Sequence, residues 1–339
     1  MVGVGNVGRS FLKLMTDKKR TLSDRYGLRL ALVAAADSSG AALIAEGLDP
    51  AALLALKAKG EGVAKLKPGG LPGVTAREMI RQARADLLLE VSPTNLVDGQ
   101  PGLEAMEQAL ELGMHVVTAN KGPLVLAYSR LMALARQKGR QLRHSAAVAG
   151  ACPTVNIGQR DLAGCDILRI EGIFNTTTNY ILCQMTDKGK SFAEALAEAQ
   201  SHGVAEADPS LDIDGWDAAN KLVILANSVL GVPATLKDVQ VTGIRNLKVE
   251  ALQGAQAKGA AIKLLAVAAK TDGDYQFSVQ PTELPLSHPL ARLTAWEMGI
   301  TYYTDTQGIM RAVVDEQGTI PTAAAMLRDV INIYRPDGR

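Results

Sequence analysis

The feature that most constrains this chain is the glycine turn Gly3-Val4-Gly5-Asn6-Val7-Gly8, followed by apolar residues at helical spacing through Val7, Phe11, Leu12 and Met15. A G-x-G-x-x-G that opens a helix suits a strand, a tight turn and a helix whose N-terminus faces a phosphate. Gly3 and Gly5 permit the turn and the close approach of a pyrophosphate, and Gly8 lets helix and strand pack together. Only Met1 and Val2 precede the turn, where about five strand residues are expected. The first central strand is therefore expected to begin upstream of the recorded start.

Alternation of strand and helix continues from there. LRLALVAAAD (28–37) predicts a strand ending at Asp37, the position where such folds place an acid on the ribose hydroxyls; the other reading of Asp37 is a cap on the next segment. An acid on the ribose disfavours a 2′-phosphate, so NAD is modestly preferred over NADP. The basic stretch TDKKRTLSDRYG lengthens the gap from Gly8 to Asp37 and reads as an insertion. Asp49, Pro50 and Gly60 bracket a helix, and Thr75 with Glu78 forms a capping box for another. ADLLLEV (85–91) predicts a buried strand, with VSPTN at its carboxyl end, where open α/β sheets bind ligands. GLEAMEQALELG follows as an amphipathic helix. MHVV then runs as a strand into the turn Thr118-Ala119-Asn120-Lys121; Lys121 reads either as a surface lysine or, on the rim that carries the glycine turn, as a group at the cofactor or substrate.

A chain of 339 residues with 47% hydrophobic and 21% charged residues is an ordinary globular protein with room for two lobes. A net charge of +1 and 4% aromatics argue against a nucleic-acid surface. No apolar run is long enough to cross a bilayer. Cys152, Cys165 and Cys183 form no CxxC and read as reduced cytosolic thiols. The histidines lack zinc spacing, so no transition-metal site is expected.

From about residue 150 the pattern changes. SAAVAGACPTVN (145–156) enters a helix through Pro153, and CDILRIEGIFNTTTNYILCQM (165–185) gives strand, polar run and helix. Asn175, Thr176, Thr177 and Thr178 suit either a helix cap or a small polar ligand. AEADPSLDIDGWDAANK (205–221) then packs five carboxylates around one lysine. Asp214 reads as the N-cap of the next helix. Asp217 and Lys221, four apart, share its half-buried face with Ile224. Exposed, that pair is worth a few tenths of a kcal/mol; partly buried, its lysine becomes tunable for proton transfer. Glu206, Asp208 and Asp212 stand beside it and suit a ligand bearing an ammonium group.

In GVGNVG, the TANK turn, GIFN-TTNYIL, AEADPSLDIDGWDAANKL, HPLARLTAWEMG and PTAAAMLRD, the chain resembles the homoserine dehydrogenase family in its short form, without a regulatory extension. The resemblance implies a Rossmann-type nucleotide-binding domain (1–150) and a second α/β catalytic and dimerisation domain (151–317). The segment 318–339 would pack back on the first, and the molecule would be a cytoplasmic homodimer. The implied reaction is the NAD(P)-dependent interconversion of L-homoserine and L-aspartate 4-semialdehyde, in the biosynthesis of threonine, methionine and isoleucine.

By that resemblance Gly3, Gly5, Val7 and Gly8 hold the dinucleotide, with Gly318 near it. Lys121 and Lys221 are the two active-site lysines, Lys221 moving the proton. Glu206 receives the substrate amino group, and Asp212, Asp217 and Thr177 complete the substrate site. The chemistry agrees, since aldehyde reduction needs a proton at oxygen and an ammonium supplies it. A free lysine titrates near about 10.4, so oxidation near neutrality requires a depressed lysine. Several positions depart from the family pattern, among them EQGTIPTA near the C-terminus, which replaces a more glycine-rich turn while retaining Gly318. Thr176 replaces glycine and narrows the pocket floor, which leaves a related oxidoreductase of another amino acid as the alternative; a nucleotide sensor without turnover is the other rival. Ser145 stands where many members carry glutamate beside a monovalent-cation site, leaving the carbonyls near Val148 and Gly150 as its ligands.

Overall fold

The computed structural model describes residues 1–335, and its chain forms two compact units. One comprises Met1–Ala151 with the segment that starts at Gly318, the other Cys152–Gln317. The first unit begins with α1 (Asn6–Asp17) and α2 (Lys19–Tyr26), the latter formed by the basic insertion. There follow β1 (Ala34–Asp37), β2 (Gly40–Leu43), α3 (Pro50–Ala58), β3 (Gly70–Pro72), α4 (Ala76–Gln82) and β4 (Leu87–Glu90). Then come α5 (Gly102–Glu111), β5 (His115–Thr118), α6 (Lys121–Gln137) and β6 (Leu142–Arg143).

Local signals set several of these boundaries. Asp49 caps α3 by accepting from the Ala51 N–H, with Pro50 in the first turn. Thr75 and Glu78 form a reciprocal capping box on α4. Side-chain oxygens here satisfy amide groups that a helix leaves without partners, which contributes about 1 kcal/mol per cap.

The sheet of this unit consists of two three-stranded pieces. β1-β2-β3 is antiparallel, and β4-β5-β6 is parallel. Val2 joins them, bridging in parallel to Ala36 on one side and Glu90 on the other. The strand expected over 28–37 is regular only from Ala34 onward, because a strand is defined by its neighbour and Val2 is paired with Ala36. Between residues 28–34 and 83–89 lies an apolar cavity of about 350 Å³, lined by Met1, Phe11, Leu30, Met79 and Leu87 among others.

The second unit contains α7 (Thr154–Asn156), β7 (Ile167–Ile173), α8 (Thr176–Lys188), α9 (Phe192–Ser201), α10 (Ser210–Ile213) and α11 (Trp216–Leu225). It continues with β8 (Val239–Val241), α12 (Val249–Ala257), β9 (Ala260–Thr271), β10 (Asp274–Pro285), β11 (Glu297–Thr304) and β12 (Ile309–Asp315). Its six strands run in the order β12-β11-β7-β9-β10-β8, antiparallel except where β8 meets β10. Helices α8, α11 and α12 pack on β9. The chain then returns to the first unit as α13 (Ile320–Tyr334), which packs along α1. Its Met326 and Val330 share a core with Phe11, Leu12 and Leu53, and each buried side chain of that size contributes about 1.5–3 kcal/mol.

One expected boundary is corrected. Asp214 does not cap α11; the preceding residue is Gly215 at φ 89, and no side-chain cap is made. Asp214 instead accepts two 2.9 Å hydrogen bonds from Arg245, 31 residues away. A bidentate guanidinium pair outcompetes a single amide for that carboxylate.

Candidate active site

The glycine turn is built as a cradle. A Cβ on Gly3, whose φ is +90, would lie 2.4 Å from the Val91 carbonyl oxygen, and one on Gly8 would lie 2.7 Å from the Gly3 oxygen. Neither position admits a side chain. At Gly5 a Cβ would meet nothing within 4 Å, so the backbone there faces open space. Gly5 is also the N-cap of α1, and no side chain satisfies that helix end. Val7 lies in its first turn, half-buried. Free amide groups at the N-terminus of a 12-residue helix, bordered by open space, fit the phosphates of a dinucleotide. Gly318 precedes Thr319, whose hydroxyl lies 2.8 Å from the Ser10 hydroxyl of α1, so that glycine sits alongside the same helix.

Asp37 closes β1 with both oxygens engaged. Oδ1 accepts from the Ser39 N–H and hydroxyl, while Oδ2 accepts from Lys57 Nζ at 2.7 Å and the Val63 N–H at 3.1 Å. Burial pushes its carboxyl up, but the hydrogen bonds from Lys57, Ser39 and Val63 outweigh that and hold it below the usual range. Lys121 is the first residue of α6, and Asn120 caps that helix by accepting from the Gly122 N–H. Ser145 has its N–H on Asp329 and its hydroxyl 3.3 Å from the Arg328 guanidinium.

In the second unit the polar run and the acidic stretch come together at the start of α8 and α11. Lys221 Nζ donates to the Phe174 carbonyl and to Asp217 Oδ2, both at 2.6 Å. The two side chains are only 13% and 12% exposed, which separates this pair from an ordinary surface bridge. Asn175 does two things: its Oδ1 accepts from the Thr178 N–H and so caps α8, while its Nδ2 donates to Asp212 at 2.6 Å and Asp217 at 2.8 Å. Burial raises the Asp212 carboxyl, and the Asp217 charge adds to the rise; Thr177, Lys221 and Asn175 only partly offset it. Thr177 also donates to the Val204 carbonyl, tying α8 to the loop before Glu206. Glu206 itself is exposed on that loop, outside the cluster, and its carbonyl accepts from Gln200 Nε2 at 3.1 Å. Thr176 is the first residue of α8.

A lysine held between a carbonyl and a carboxylate, beside a second carboxylate, can exchange a proton with an oxygen and attract an ammonium. The part of Asn175 as joint clamp of Asp212 and Asp217 is not legible from spacing; its only signal is an amide standing between a strand and a helix. Sequence reasoning also missed Glu90, Ser92, Thr118 and Asn120, which form a buried hydrogen-bonded cluster in the first unit. The clue was a carboxylate ending the apolar strand LLLE. Among the described residues no group of three His, Cys, Asp or Glu is placed to hold a metal ion.

Comparison with known proteins accounts for both units. Residues 3–145 match the family model of the homoserine dehydrogenase NAD binding domain, and residues 153–331 match that of homoserine dehydrogenase. The homoserine dehydrogenase of Methanocaldococcus jannaschii is 40% identical over 98% of this chain and 97% of its own. The NAD(+)-dependent homoserine dehydrogenase of Pseudomonas canavaninivorans is 35% identical over 99% of this chain and 95% of its own. A crystal structure from Archaeoglobus fulgidus carrying the homoserine dehydrogenase name superposes with a TM-score of 0.88 at 37% identity, covering 98% of each chain. The chain belongs to the homoserine dehydrogenase family, oxidoreductases that bind NAD(P) and act on a CH–OH group.

Proposed function

We propose that the protein interconverts L-homoserine and L-aspartate 4-semialdehyde with Lys221 as the group that moves the proton. The observation that carries this reading is the seat of Lys221 Nζ, fixed by Phe174 and Asp217 beside Asp212. Bound NAD(P) supplies the hydride acceptor for the alcohol carbon. As the neutral amine Lys221 Nζ takes the hydroxyl proton during oxidation and becomes the ammonium; as the ammonium it gives that proton to the oxygen during reduction, where its charge stabilises the developing alkoxide. Asp212 and Asp217 are placed to attract the substrate ammonium, and Thr177 ties α8 to the exposed loop from which Glu206 would reach the same group. Lys121, at the start of α6, is the second active-site lysine. Gly3, Gly5, Val7 and Gly8 form the phosphate cradle, with Gly318 at its edge.

The finer points follow from local chemistry. We favour NAD over NADP because Asp37 presents a carboxylate at the end of β1, where a 2′-phosphate would meet like charge. Lys57, 2.7 Å from Asp37, moderates that preference. Asp37→Ala should therefore lower the ratio of kcat/KM for NAD to that for NADP, and an unchanged ratio would remove Asp37 from this role. A monovalent cation would take the carbonyls around Val148 and Gly150, but Ser145 brings no carboxylate of its own and the Arg328 guanidinium lies 3.3 Å from its hydroxyl. We give it no part in the reaction. The protein is read as a homodimer formed through the six-stranded sheet, whose edge strand β12 exposes Ile309 and Val313; sedimentation equilibrium tests this. Its free cysteines suit the cytoplasm.

The deciding experiment is reduced-nicotinamide formation from L-homoserine with NAD and NADP offered separately. Turnover supports the reading. A folded, nucleotide-binding protein without turnover on homoserine refutes it and directs attention to Thr176.

A further inference from the structure

Glu90 ends β4 with no exposed surface, and among the described residues its hydrogen-bond partners are neutral groups. Its Oε1 accepts from the Ser92 N–H at 2.9 Å, from the Ser92 hydroxyl, and from Asn120 Nδ2 at 3.5 Å. Its Oε2 accepts from the Thr118 hydroxyl of β5 at 2.9 Å. Asn120 Nδ2 also donates to the Ser92 hydroxyl at 3.3 Å, and the Asn120 N–H donates to Thr118 Oγ1 at 3.0 Å. The same Asn120 caps α6 immediately before Lys121. On its other side the cluster meets the glycine turn, because a Cβ on Gly3 would lie 2.6 Å from the Ser92 nitrogen. Gly102 packs directly against the cluster, where a Cβ would lie 2.7 Å from Asn120 Nδ2 and 3.1 Å from the Glu90 carboxyl carbon.

A buried carboxylate without a cation is costly unless its oxygens are satisfied. A site of this kind for mere packing would be served better by leucine. We propose that Glu90 is a positioning residue for the reaction: it fixes Lys121 through the Asn120 cap and, through Ser92, holds the loop after β4 against the glycine turn. The inference rests on the reading of Lys121 as an active-site lysine. The acceptor roles are fixed on one side only. Oε1 faces the obligatory donors Ser92 N–H and Asn120 Nδ2, the latter oriented because Asn120 Oδ1 accepts from Gly122. Oε2 faces a hydroxyl, which can either donate or accept. Glutamine therefore fits with its Nε2 in place of Oε2, whereas leucine leaves Ser92 and Asn120 without their acceptor.

The test is a double-mutant cycle read in kcat with both substrates saturating, alongside thermal melting and nucleotide affinity. Glu90→Gln is expected to keep kcat within about threefold of the parent. Glu90→Leu should lower kcat at least about tenfold in folded protein, and Lys121→Ala should do so independently. Because Glu90 acts through Lys121, the double variant should fall no more than about threefold below the weaker single variant. Losses that multiply in the double variant would overturn the proposal, as would full activity in folded Glu90→Leu or a tenfold loss in Glu90→Gln. Full kcat in Lys121→Ala would instead refute the reading of Lys121 itself. If Glu90→Leu does not fold, Asn120→Ala replaces it in the cycle under the same criteria, cutting the link between Glu90 and the cap.

Discussion

Replacing Lys221 by methionine keeps the unbranched stem of the side chain, stops one atom short of Nζ, and removes its proton and charge. The ammonium makes two 2.6 Å hydrogen bonds, to Phe174 and to Asp217. Charge-assisted bonds of this kind are worth about 1.5–3 kcal/mol each against water, but the loss is cushioned. Without the lysine, Asp212 and Asp217 still share the Asn175 amide, and the pair takes up a proton. A stability loss of about 1–3 kcal/mol is therefore expected, small enough for the protein to remain folded. Catalysis has no such cushion. A positioned general acid–base contributes about 10²–10⁴-fold, which corresponds to about 3–5 kcal/mol of barrier. Homoserine oxidation followed by reduced-nicotinamide formation should show that loss in kcat, while nucleotide affinity measured by calorimetry stays within about twofold. Lys221→Ala supplied with a small primary amine should recover part of the rate. A Lys221→Met variant that turns over within tenfold of the parent would refute the proton-transfer assignment.

Other outcomes follow from the same geometry. Asp212→Asn should stabilise the protein on the order of 1 kcal/mol and lower kcat/KM for homoserine at least tenfold. The folded carboxyl holds its proton more tightly than the unfolded one, so its ionisation opposes folding as pH rises through the window above 3.8; denaturant titration of the variant should show a flatter dependence there. His144 is buried, with its Nδ1 lacking a partner among the described residues, and burial lowers its pKa to about 4. A depressed histidine contributes stability that is complete above pH 6.5 and is lost as pH falls toward 4, here about 3 kcal/mol. His144→Phe should flatten that acid limb in urea melts, and an unaltered limb would assign it to other groups. Gly3→Ala forces a Cβ to 2.4 Å from the Val91 oxygen at φ +90, so nucleotide binding should fall by at least tenfold; unchanged affinity would remove the turn from the phosphate site.

What could be read from the sequence was local. The capping residues at Asp49, Thr75 and Glu78 lie within three positions of the groups they satisfy, and their helices begin where expected. The Asp217–Lys221 pair was legible for the same reason, since helical spacing alone puts both on one face. The failures are all long-range. Asp214 has the right residue type and position for a cap, but its partner Arg245 lies far along the chain. Residues 28–33 have strand composition, yet pairing decides whether they are a strand. The joint hold of Asn175 on two carboxylates 37 and 42 positions away depends on how α8, α10 and α11 pack. Glu90 read as the end of an apolar strand because nothing in LLLE announces that Ser92, Thr118 and Asn120 will converge on it.

The bridge at Val2 has a mechanical consequence. The two half-sheets of the first unit carry different parts of the proposed nucleotide site: Asp37 ends a strand of one, Glu90 ends a strand of the other, and the glycine turn stands where they meet. Val2 exchanges backbone hydrogen bonds with Leu89 and Val91, while Met1 and Gly3 exchange theirs with Ala34 and Ala36. So narrow a seam is the natural line along which this unit opens in local fluctuations. A dinucleotide lying across it would act as a fastener, and saturating nucleotide should slow amide exchange at Val2, Ala36 and Val91 more than in the helices that flank them.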